Sequence, residues 1–458
     1  MKYKDVSRSE SLLYRILTKR VLRFINVAAM SLLFMISWYT SYDKELPLSF
    51  YKRGNYLVLF LYVLLYLMIG RIYEAFKISY SSVGEMVYSQ VLSLLEVNVT
   101  MYLIIFLLLR DFPKVGPILQ VFILQILVTV IWSFLTQRTY LNIFGSDKTI
   151  VITDIRKGFS NLIKDYKLTK KYNVIHTYGI EEVVNDLSKL DEAEVVFLAG
   201  VHSHDRNIVT KYCLLHDIKA FIIPRVGDLI LKGADSANLF HLLMLKVERY
   251  SPSLEYMFVK RLMDIVLSLI ALVLFSPFMI ITAICIKAED HGPILYKQCR
   301  LTKDGKEFNL YKFRSMRVDA EKDGVARLST GDNDDRITKT GKFIRKVRID
   351  EMPQLFNILK GDLTIVGPRP ERPEIAREYE KELPEFALRL QVKAGLTGYA
   401  QVYGKYNTIP YDKLLMDLMY ISNASLFEDL RIIFYTVKIL FLPESTEGIA
   451  EGQTTAAK

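Results

Sequence analysis

The stretch RKVRIDEMPQLFNILKGDLTIVGPRPE, from Arg345 to Glu371, is the most informative part of this sequence for fold and chemistry. Two adjacent carboxylates, Asp350 and Glu351, follow a basic run and precede Pro353. Proline is tolerated in the first turn of a helix, and glycine favours the position after the last turn. The pattern therefore predicts a helix that starts near Pro353 and ends at Gly361, with Asp350 at or near its N-cap. Such a helix start favours bound anions.

Basic residues surround the two acids. The segment before them, from Thr338 to Ile349, contains no acid and five basic side chains: Lys339, Lys342, Arg345, Lys346 and Arg348. Arg369 follows in the turn GPRPE, and Lys312 and Arg314 lie in LYKFRSM beside another short strand. Guanidinium groups bind phosphate oxygens bidentately, and phosphoryl transfer depends on charge neutralisation. The clusters favour a site for a diphosphate substrate over an ordinary N-cap aspartate.

The two carboxylates are expected to have different roles, because adjacent residues on a helix do not face the same way. One would attack phosphorus as a nucleophile, and the other would hold Mg²⁺, which prefers oxygen ligands. Helix geometry alone leaves open which of Asp350 and Glu351 attacks. Further along, AGLTGYAQ (Ala394 to Gln401) predicts a glycine-spaced loop whose backbone approaches a nucleotide closely.

The composition indicates a chain that is part membrane and part soluble. Of its 458 residues 51% are hydrophobic and 24% are charged, and the formal net charge is +10. The basic excess fits an anionic membrane face or an anionic substrate, and we expect no nucleic-acid partner. The three cysteines have neither metal-ligand spacing nor a disulfide framework, which favours reduced thiols in a cytosol-facing protein.

Four apolar runs in the first third are each close to the length that crosses a bilayer: Phe24–Tyr42, Tyr56–Ile72, Val91–Leu109 and Ile118–Leu135. Glu96 and Asn98 lie in the third run, and intramembrane polar groups usually face a bundle interior. Lysine and arginine are concentrated before the first run, between the second and third, and after the fourth. The positive-inside rule then places the N-terminus and the rest of the chain in the cytoplasm.

The middle of the chain has the alternating pattern of βαβ units. Short β-branched runs (TIVITD, NVIHTY, EVVFLAG, AFIIPR) alternate with amphipathic stretches, which predicts a small parallel sheet. After the first run TDIRKGFS contains one glycine where a dinucleotide loop needs several. We therefore expect a Rossmann-like domain that binds no nucleotide. The sequence HSHD (His202 to Asp205) is interpreted as a surface loop, because no third metal ligand is near.

A fifth apolar run, Ile265 to Ile286, contains Ser276 and Pro277 near its middle. Proline removes a backbone donor and bends a helix, and each half is too short to cross alone. A re-entrant helix would keep both soluble parts on the cytoplasmic face, whereas a kinked spanning helix would separate them. The residues alone leave both arrangements open. Near the end, Asp429 to Leu442 would either lie at the lipid interface or pack in a core.

The expected organisation has four parts. Residues 1–145 form a transmembrane region of four helices, 146–250 a Rossmann-like cytoplasmic domain, and 251–443 an α/β catalytic domain with a re-entrant membrane helix. The small, polar tail 444–458 is expected to be disordered.

Five motifs occur in the order that one family shows. They are the Ser-Pro-broken helix, DGKEFNLYKFRSM, RIDEMPQLFNILKGDLTIVGPRPE, GLTGYAQVYG and MDLMYISNASLFEDLRIIF. Together they resemble the bacterial polyprenyl-phosphate glycosyl-1-phosphate transferases, the monotopic sugar transferases that start exopolysaccharide, capsule and O-antigen units. The match covers Tyr256 to Leu442, and the front end resembles the large form of the family. One position departs from it: Ala394 stands where the family usually has proline.

The resemblance implies an activity in the bacterial cytoplasmic membrane. A UDP-sugar would donate sugar-1-phosphate to undecaprenyl phosphate and release UMP, in two steps through a phosphosugar on Asp350. Glu351 would hold Mg²⁺, Arg345 a phosphate of the lipid acceptor, and Arg369 the donor's phosphates. Lys312, Arg314 and Asp417 are further candidates for substrate binding. The resemblance also implies that the helix containing Ser276 and Pro277 is re-entrant, and that the protein is a homodimer.

Two other functions fit the sequence less well. A membrane-anchored nucleotide-sugar epimerase or dehydratase would need a dinucleotide loop, which this sequence lacks, and a Tyr-x-x-x-Lys pair on a helix. Tyr166/Lys170 and Tyr256/Lys260 match that spacing only by chance. A catalytically inactive scaffold of polysaccharide assembly conflicts with the intact Asp-Glu pair and its arginines.

Overall fold

The computed structural model of the chain describes residues 2–47, 53–79, 81–154, 159–165, 168–318, 320, 336–404 and 408–440. The predicted disordered tail lies outside the described residues. Contacts divide the chain into two compact units, Met1–Ile223 and Pro224–Lys458. The predicted domain boundaries at 146 and 251 stay predictions.

The first unit begins with long helices. A π-helical stretch Trp38–Tyr42 and a 3-10 turn Asp43–Glu45 follow the first of them. The helices are α1 Lys2–Ser37, α2 Arg53–Ile72, α3 Val83–Leu109 and α4 Val115–Phe144. Together with a later helix, they are the five described helices long and apolar enough to cross a membrane. They exceed the predicted runs because polar flanking residues stay helical: Ser82 and Glu85 form a capping box at the start of α3.

Polar side chains of the helices face one another, as the sequence predicts. Asn98 is 5% exposed and donates to Gln125 at 2.8 Å. Gln125 in turn donates to the hydroxyl of Tyr62 at 2.7 Å, and Glu96 accepts from Tyr73. Such bonds join neighbouring helices where lipid offers no partner.

An α/β domain with a parallel sheet completes the first unit, as predicted. The sheet has the order β2-β1-β3-β4. One of its faces packs mainly aliphatic side chains, and the other includes the aromatic rings of Tyr172, Phe197 and Phe221. Its strands are β1 Asp147–Thr153, β2 Tyr172–Gly179, β3 Val195–Ala199 and β4 Lys219–Ile222, with helices α5 Phe159–Asp165, α6 Ile180–Asn185 and α7 Ser203–Leu215 between them. His202 and Asp205 lie at the start of α7, and no metal-binding cluster occurs among the described residues.

The second unit starts with a short helix and a hairpin that the sequence pattern did not predict. These are α8 Val226–Lys232 and the antiparallel strands β5 Asp235–Leu239 and β6 Leu242–Lys246. The long helix α9 Leu254–Asp290 follows, with Ser253 as its N-cap. It stays helical through Pro277, and Ser276 donates to the carbonyl of Val273 at 2.9 Å.

The remaining elements follow α9 in the chain, and several of them contact it. Two small sheets are present, antiparallel β7-β8 and parallel β9-β10. In chain order the elements are β7 Leu295–Leu301, β8 Glu307–Phe313, α10 Lys339–Lys346, α11 Gln354–Lys360, β9 Thr364–Val366, α12 Pro373–Glu382, β10 Gly395–Thr397, α13 Tyr399–Tyr403, α14 Pro410–Asn423 and α15 Leu426–Leu440. Within the predicted lipid-or-core segment, Asp429, Ile432 and Tyr435 are buried, while Leu430 is exposed. One face of α15 therefore packs in the core.

Candidate active site

A tight turn positions the two acids. Residues Ile349–Glu351 form a 3-10 turn between α10 and α11, and Arg348 before it has left-handed backbone (φ 58°). Asp350 is therefore not the N-cap of α11, which corrects the prediction. The N-cap position is Pro353. The tight turn extends through Met352, whose carbonyl accepts from Leu355 at 3.1 Å, and the helix starts near Pro353 as predicted. Its predicted end is confirmed at Gly361, where φ is 97°.

Two cations hold Glu351. Its Oε1 accepts from Lys312 Nζ at 3.0 Å and from Arg369 Nη2 at 3.1 Å. The side chain is buried, and burial alone would raise the pKa of Glu351. Lys312 and Arg369 outweigh that effect and hold the pKa of Glu351 below its usual range. Glu351 is therefore a firmly ionised carboxylate at neutral pH.

Asp350 lies in different surroundings. It is 9% exposed, and its Oδ1 accepts no hydrogen bond from any described group. Burial and the neighbouring charge of Glu351 raise the pKa of Asp350 to about 6, against the opposite influence of Lys312, Arg345 and Arg348. A buried carboxylate with an oxygen that accepts no hydrogen bond is more basic and more available to an incoming electrophile than one held in an ion pair.

Asn357 of α11 holds Lys312 near the acids, a role that sequence reasoning missed. Its amide oxygen accepts from Tyr311 N at 3.0 Å, and its amide nitrogen donates to Asn309 O at 2.8 Å. These bonds fix β8, which carries Lys312, to α11, and α11 follows the two acids in the chain. The only signal in the sequence was a polar residue between the apolar residues of LFNIL.

Close backbone crossings shape the turn that carries Arg369. A Cβ built on Gly395 would lie 2.1 Å from Gly367 N, and one on Gly398 would lie 2.1 Å from Gly367 O. These glycines therefore let β10 and the residues after it pass close to the turn that follows β9. The space beside both residues is filled by the GPRP turn, which gives the glycine spacing a structural reason; close approach of a nucleotide to this loop stays a prediction.

Ala394, which departs from the family pattern, is held on both sides. Its N–H donates to Thr302 Oγ1 at 3.2 Å, and its carbonyl accepts from Thr364 N at 2.9 Å. A proline here would lack the first of these bonds. Ala394 also lines a small open cavity together with Arg369 and Arg389.

Arg389 connects Arg369 to Asp417. The guanidinium of Arg389 donates to the backbone carbonyl of Arg369 and forms an ion pair with Asp417, both at 2.8 Å. It also lies 3.6 Å from Glu371. Asp417 is 1% exposed, and burial raises its pKa to about 6 although Arg389 opposes the shift. Asp417 thus lies behind Arg389, not beside the acids. Sequence reasoning missed Arg389 because it lies outside the motif stretches.

Two predicted arginines occupy other places. Arg314 is buried and forms an ion pair with Asp290 at the end of α9, and a Cβ on Gly292 would lie 1.9 Å from its Nη1. This contact ties Arg314 to the helix end and not to the acid pair. Arg345 lies in the last turn of α10, and no described residue forms an ion pair with it. Its charge still acts on Asp350.

The acid pair thus lies beside Lys312 and Arg369, on a chain with helices long and apolar enough to cross a membrane. Residues 255–443 match the model of the bacterial sugar transferase family. The UDP-N-acetylgalactosamine-undecaprenyl-phosphate N-acetylgalactosaminephosphotransferase of Aeromonas hydrophila is 38% identical over 231 residues, 50% of this chain and 53% of that protein. A UDP-glucose:undecaprenyl-phosphate glucose-1-phosphate transferase of Klebsiella pneumoniae is 40% identical over 191 residues, 41% of each chain.

A shorter relative is covered more fully. The putative undecaprenyl-phosphate N-acetylgalactosaminyl 1-phosphate transferase of Bacillus subtilis is 48% identical over 136 residues, 30% of this chain and 75% of that protein. The chain belongs to the bacterial sugar transferase family. It spans about half the length of the first two curated relatives, 53% and 41%.

Proposed function

We propose that this protein transfers sugar-1-phosphate from a UDP-sugar to undecaprenyl phosphate, with release of UMP, as the first membrane step of exopolysaccharide, capsule or O-antigen synthesis. The observation that carries the proposal is the contrast between the two acids. Glu351 is held by Lys312 and Arg369, whereas Asp350 has an oxygen without a hydrogen bond and a raised pKa. The names of the relatives support the substrate classes.

In the proposed reaction Asp350 is the nucleophile. Its carboxylate attacks the phosphorus that carries the sugar, the bond from that phosphorus to the UMP oxygen breaks, and UMP leaves with the electron pair. The phosphate oxygen of undecaprenyl phosphate then attacks the same phosphorus and releases the Asp350 carboxylate. The raised pKa of Asp350 supports this role, because a more basic carboxylate is a better nucleophile while it is still ionised at neutral pH.

The cations would bind the phosphates of both substrates. Arg369 and Lys312 face the acid pair from the turn after β9 and from β8, and we assign them to the donor diphosphate. Arg345, which has no ion pair with a described residue, is assigned to the phosphate of the lipid acceptor. Arg314 and Asp417 are assigned indirect roles, because the first is paired with Asp290 and the second with Arg389.

We propose Mg²⁺ as the cofactor. The donor set fits an ion that is shared with substrate phosphates, since Mg²⁺ usually takes only one or two carboxylates from the protein. Among the described residues no group of three or more possible metal ligands exists. Glu351, with Asp350 beside it, would hold the ion. When bound, Mg²⁺ would neutralise charge on the diphosphate.

We propose that α9 re-enters the membrane at Ser276 and Pro277. Near its start, Arg261 donates to the carbonyls of Ile358 and Leu359 at 2.6 and 2.7 Å. Near its end, Glu289 accepts from the backbone of α10 at 2.8 Å. Both ends thus contact the same compact unit. A spanning helix would place its ends on opposite sides of the bilayer.

The middle of α9 suits lipid. Its side chains around the proline are apolar and largely exposed, for example Val273 at 73% and Leu274 at 64%. We further propose four spanning helices in the bacterial inner membrane, cytoplasmic soluble parts, a nucleotide-free Rossmann-like domain and a homodimer.

A nucleotide-release assay tests the proposed function. Protein in lipid nanodiscs would receive undecaprenyl phosphate and one of a panel of UDP-sugars that includes UDP-glucose and UDP-N-acetylgalactosamine. We expect UMP and a lipid-linked sugar diphosphate with at least one donor. UDP as the co-product would identify an ordinary glycosyltransferase instead. No turnover with any donor in the panel, under conditions where a relative is active, would overturn the proposal.

A further inference from the structure

A buried amide without a hydrogen-bond partner lies close in the chain to the two acids. Gln354 is the first residue of α11 and is only 4% exposed. Its amide nitrogen and its amide oxygen form no hydrogen bond with any residue that the structure describes. Buried polar groups of native proteins are nearly always hydrogen-bonded, so an exception needs a reason. Binding of a ligand that is absent from the free protein is one such reason.

The spacing of its neighbours places Gln354 on the side of α11 that faces β8. Glu351 comes three residues earlier and accepts from Lys312 Nζ at 3.0 Å. Asn357 comes three residues later and accepts from the N–H of Tyr311 at 3.0 Å. Residues three apart lie on the same side of an α-helix or a 3-10 turn. Gln354 therefore lies between these two contacts with β8, next to the strand that carries Lys312.

Asn357 shows what a structural amide looks like in the same helix. It is 0% exposed, and both ends of its amide are bonded, the oxygen to Tyr311 N and the nitrogen to the carbonyl of Asn309. Gln354 has the same functional group and similar burial one turn earlier, but it has no such bonds. An unpaired buried amide destabilises the free protein. The fold alone therefore gives no reason for glutamine at this position.

The chemistry around the acid pair determines which ligand fits this amide. A phosphoryl group in transfer carries negative charge on three equatorial oxygens, which need donors. Lys312 and Arg369 are donors, but both already bind Glu351, at 3.0 and 3.1 Å. A primary amide adds two N–H donors without adding charge. Neutral donors of this kind stabilise negative charge that develops in a transition state.

We propose that the side-chain amide of Gln354 donates a hydrogen bond to an oxygen of the phosphoryl group that Asp350 attacks. The same contact serves both steps, because Asp350 and then the lipid phosphate attack the same phosphorus. Gln354 keeps its protons throughout and acts only by holding the phosphoryl oxygen. The inference rests on the proposed function and adds to it a neutral donor beside the cations Lys312 and Arg369.

The variant Gln354→Met separates substrate binding from folding. Methionine has a similar shape and removes the unpaired amide, so the melting temperature of the full chain in nanodiscs should stay the same or rise. The kcat for UMP release should fall about a hundredfold, the usual effect of losing one such donor. Asn357→Leu is the matched control and should melt several degrees lower, because its amide is bonded within the protein. Normal kcat in Gln354→Met, or a loss of melting temperature equal to that of the control, would overturn the proposal.

The variant Gln354→Glu tests which end of the amide binds. A carboxylate keeps the shape and the acceptor oxygen, but it lacks the N–H donors and repels a phosphoryl group. The kcat of Gln354→Glu should therefore fall at least as far as that of Gln354→Met. Near-normal kcat in Gln354→Glu would mean that the side chain accepts a hydrogen bond, for example from a sugar hydroxyl, and would overturn the phosphoryl contact.

Calorimetric titration with UDP and UMP tests the contact without turnover. UDP contains the phosphate that carries the sugar in the donor, and UMP lacks it. We expect Gln354→Met to bind UDP about tenfold more weakly than the wild type does, and to bind UMP equally well. Unchanged UDP binding, or an equal loss for both nucleotides, would overturn the proposal. A wild type that releases no UMP from any donor would reject the proposed function and this inference together, whereas an active wild type with an unaffected Gln354→Met would reject this inference alone.

Discussion

At the scale of single residues, Asp350 and Glu351 are neighbours in the chain but differ in what surrounds them. Both are 9% exposed, yet only Glu351 accepts hydrogen bonds from cations among the described residues. Burial and the neighbouring charge of Glu351 raise the pKa of Asp350, while Lys312 and Arg369 hold the pKa of Glu351 low. The environment thus distinguishes the two acids, as the proposed roles of nucleophile and fixed anion require, and their adjacency in the chain alone could not show this difference.

The raised pKa of Asp350 predicts an acid limb in the rate profile. A carboxylate with a pKa of about 6 is ionised above that pH and protonated below it. The value of kcat/KM for the UDP-sugar should therefore fall roughly tenfold per pH unit below about pH 6. Asp417 also has a pKa near 6, so Asp417→Asn is the control and should keep the limb. A flat profile down to pH 4.5 would contradict the assignment.

Arg389 is predicted to position Arg369. Arg389→Met removes the bond to the Arg369 carbonyl and leaves Asp417 buried without its partner. We expect kcat to fall about a hundredfold, because small misplacement of a binding group is costly, and the melting temperature to fall as well.

The double variant Arg389→Met with Asp417→Leu separates positioning from stability. It replaces the buried ion pair by apolar side chains, so the melting temperature should recover while kcat does not. Arg389→Lys should restore part of kcat. Recovery of kcat together with the melting temperature would mean that Arg389 acts only on stability.

At the scale of elements, the sequence predicted what depends on local patterns. β-branched runs indicated the four parallel strands, and Gly361 indicated the end of α11. The start of α11 near Pro353 was predicted correctly, but Asp350 was placed too close to it, because a separate 3-10 turn lies between Asp350 and the helix. The β5-β6 hairpin was missed, since Leu242 to Leu245 lack the alternation of a half-buried strand. Arg389 was missed because its partners are distant in sequence, and only the fold brings them together.

The crossing of β9 and β10 predicts a cost for any side chain at Gly395. Gly395→Ala would place a Cβ 2.1 Å from Gly367 N. We expect the free energy of unfolding to drop by about 1–3 kcal/mol, the usual cost of overpacking, with lower activity because Arg369 follows the same turn. Gly227→Ala is the matched control: no atom lies within 4 Å of its Cβ position, so thermal melts should show no loss. Equal melting temperatures for the Gly395→Ala and Gly227→Ala variants would argue against the crossing.

At the scale of the whole molecule, the chain combines apolar helices, a parallel sheet and a second compact unit that holds the acid pair. Both ends of α9 contact that unit, Arg261 through α11 and Glu289 through α10. The proposed re-entry keeps the acid pair on the side where nucleotide sugars are made. A spanning α9 would place its two ends on opposite sides of the bilayer, so the contacts of Arg261 with α11 and of Glu289 with α10 could not both form.

Cysteine labelling tests the re-entry. Cys213, Cys285 and Cys299 would first be replaced by serine. Single cysteines would then be introduced at Leu254 and Ala288, near the two ends of α9. Both should react with an impermeant maleimide in inverted vesicles and neither in right-side-out spheroplasts. Val273→Cys, in the exposed apolar middle, is the control and should be shielded from both sides. Labelling of one end only in inverted vesicles and of the other end only in spheroplasts would establish a spanning helix.

The central claim is that Asp350 forms a covalent bond to the sugar phosphate, and mass spectrometry of a trapped intermediate tests it most directly. Protein would be mixed with its UDP-sugar without undecaprenyl phosphate, quenched in acid and digested. We predict that the peptide containing Asp350 gains the mass of one sugar phosphate, that Asp350→Asn gains none, and that this variant loses at least about a thousandfold in turnover. An adduct on another residue, or near-normal turnover of Asp350→Asn, would contradict the account.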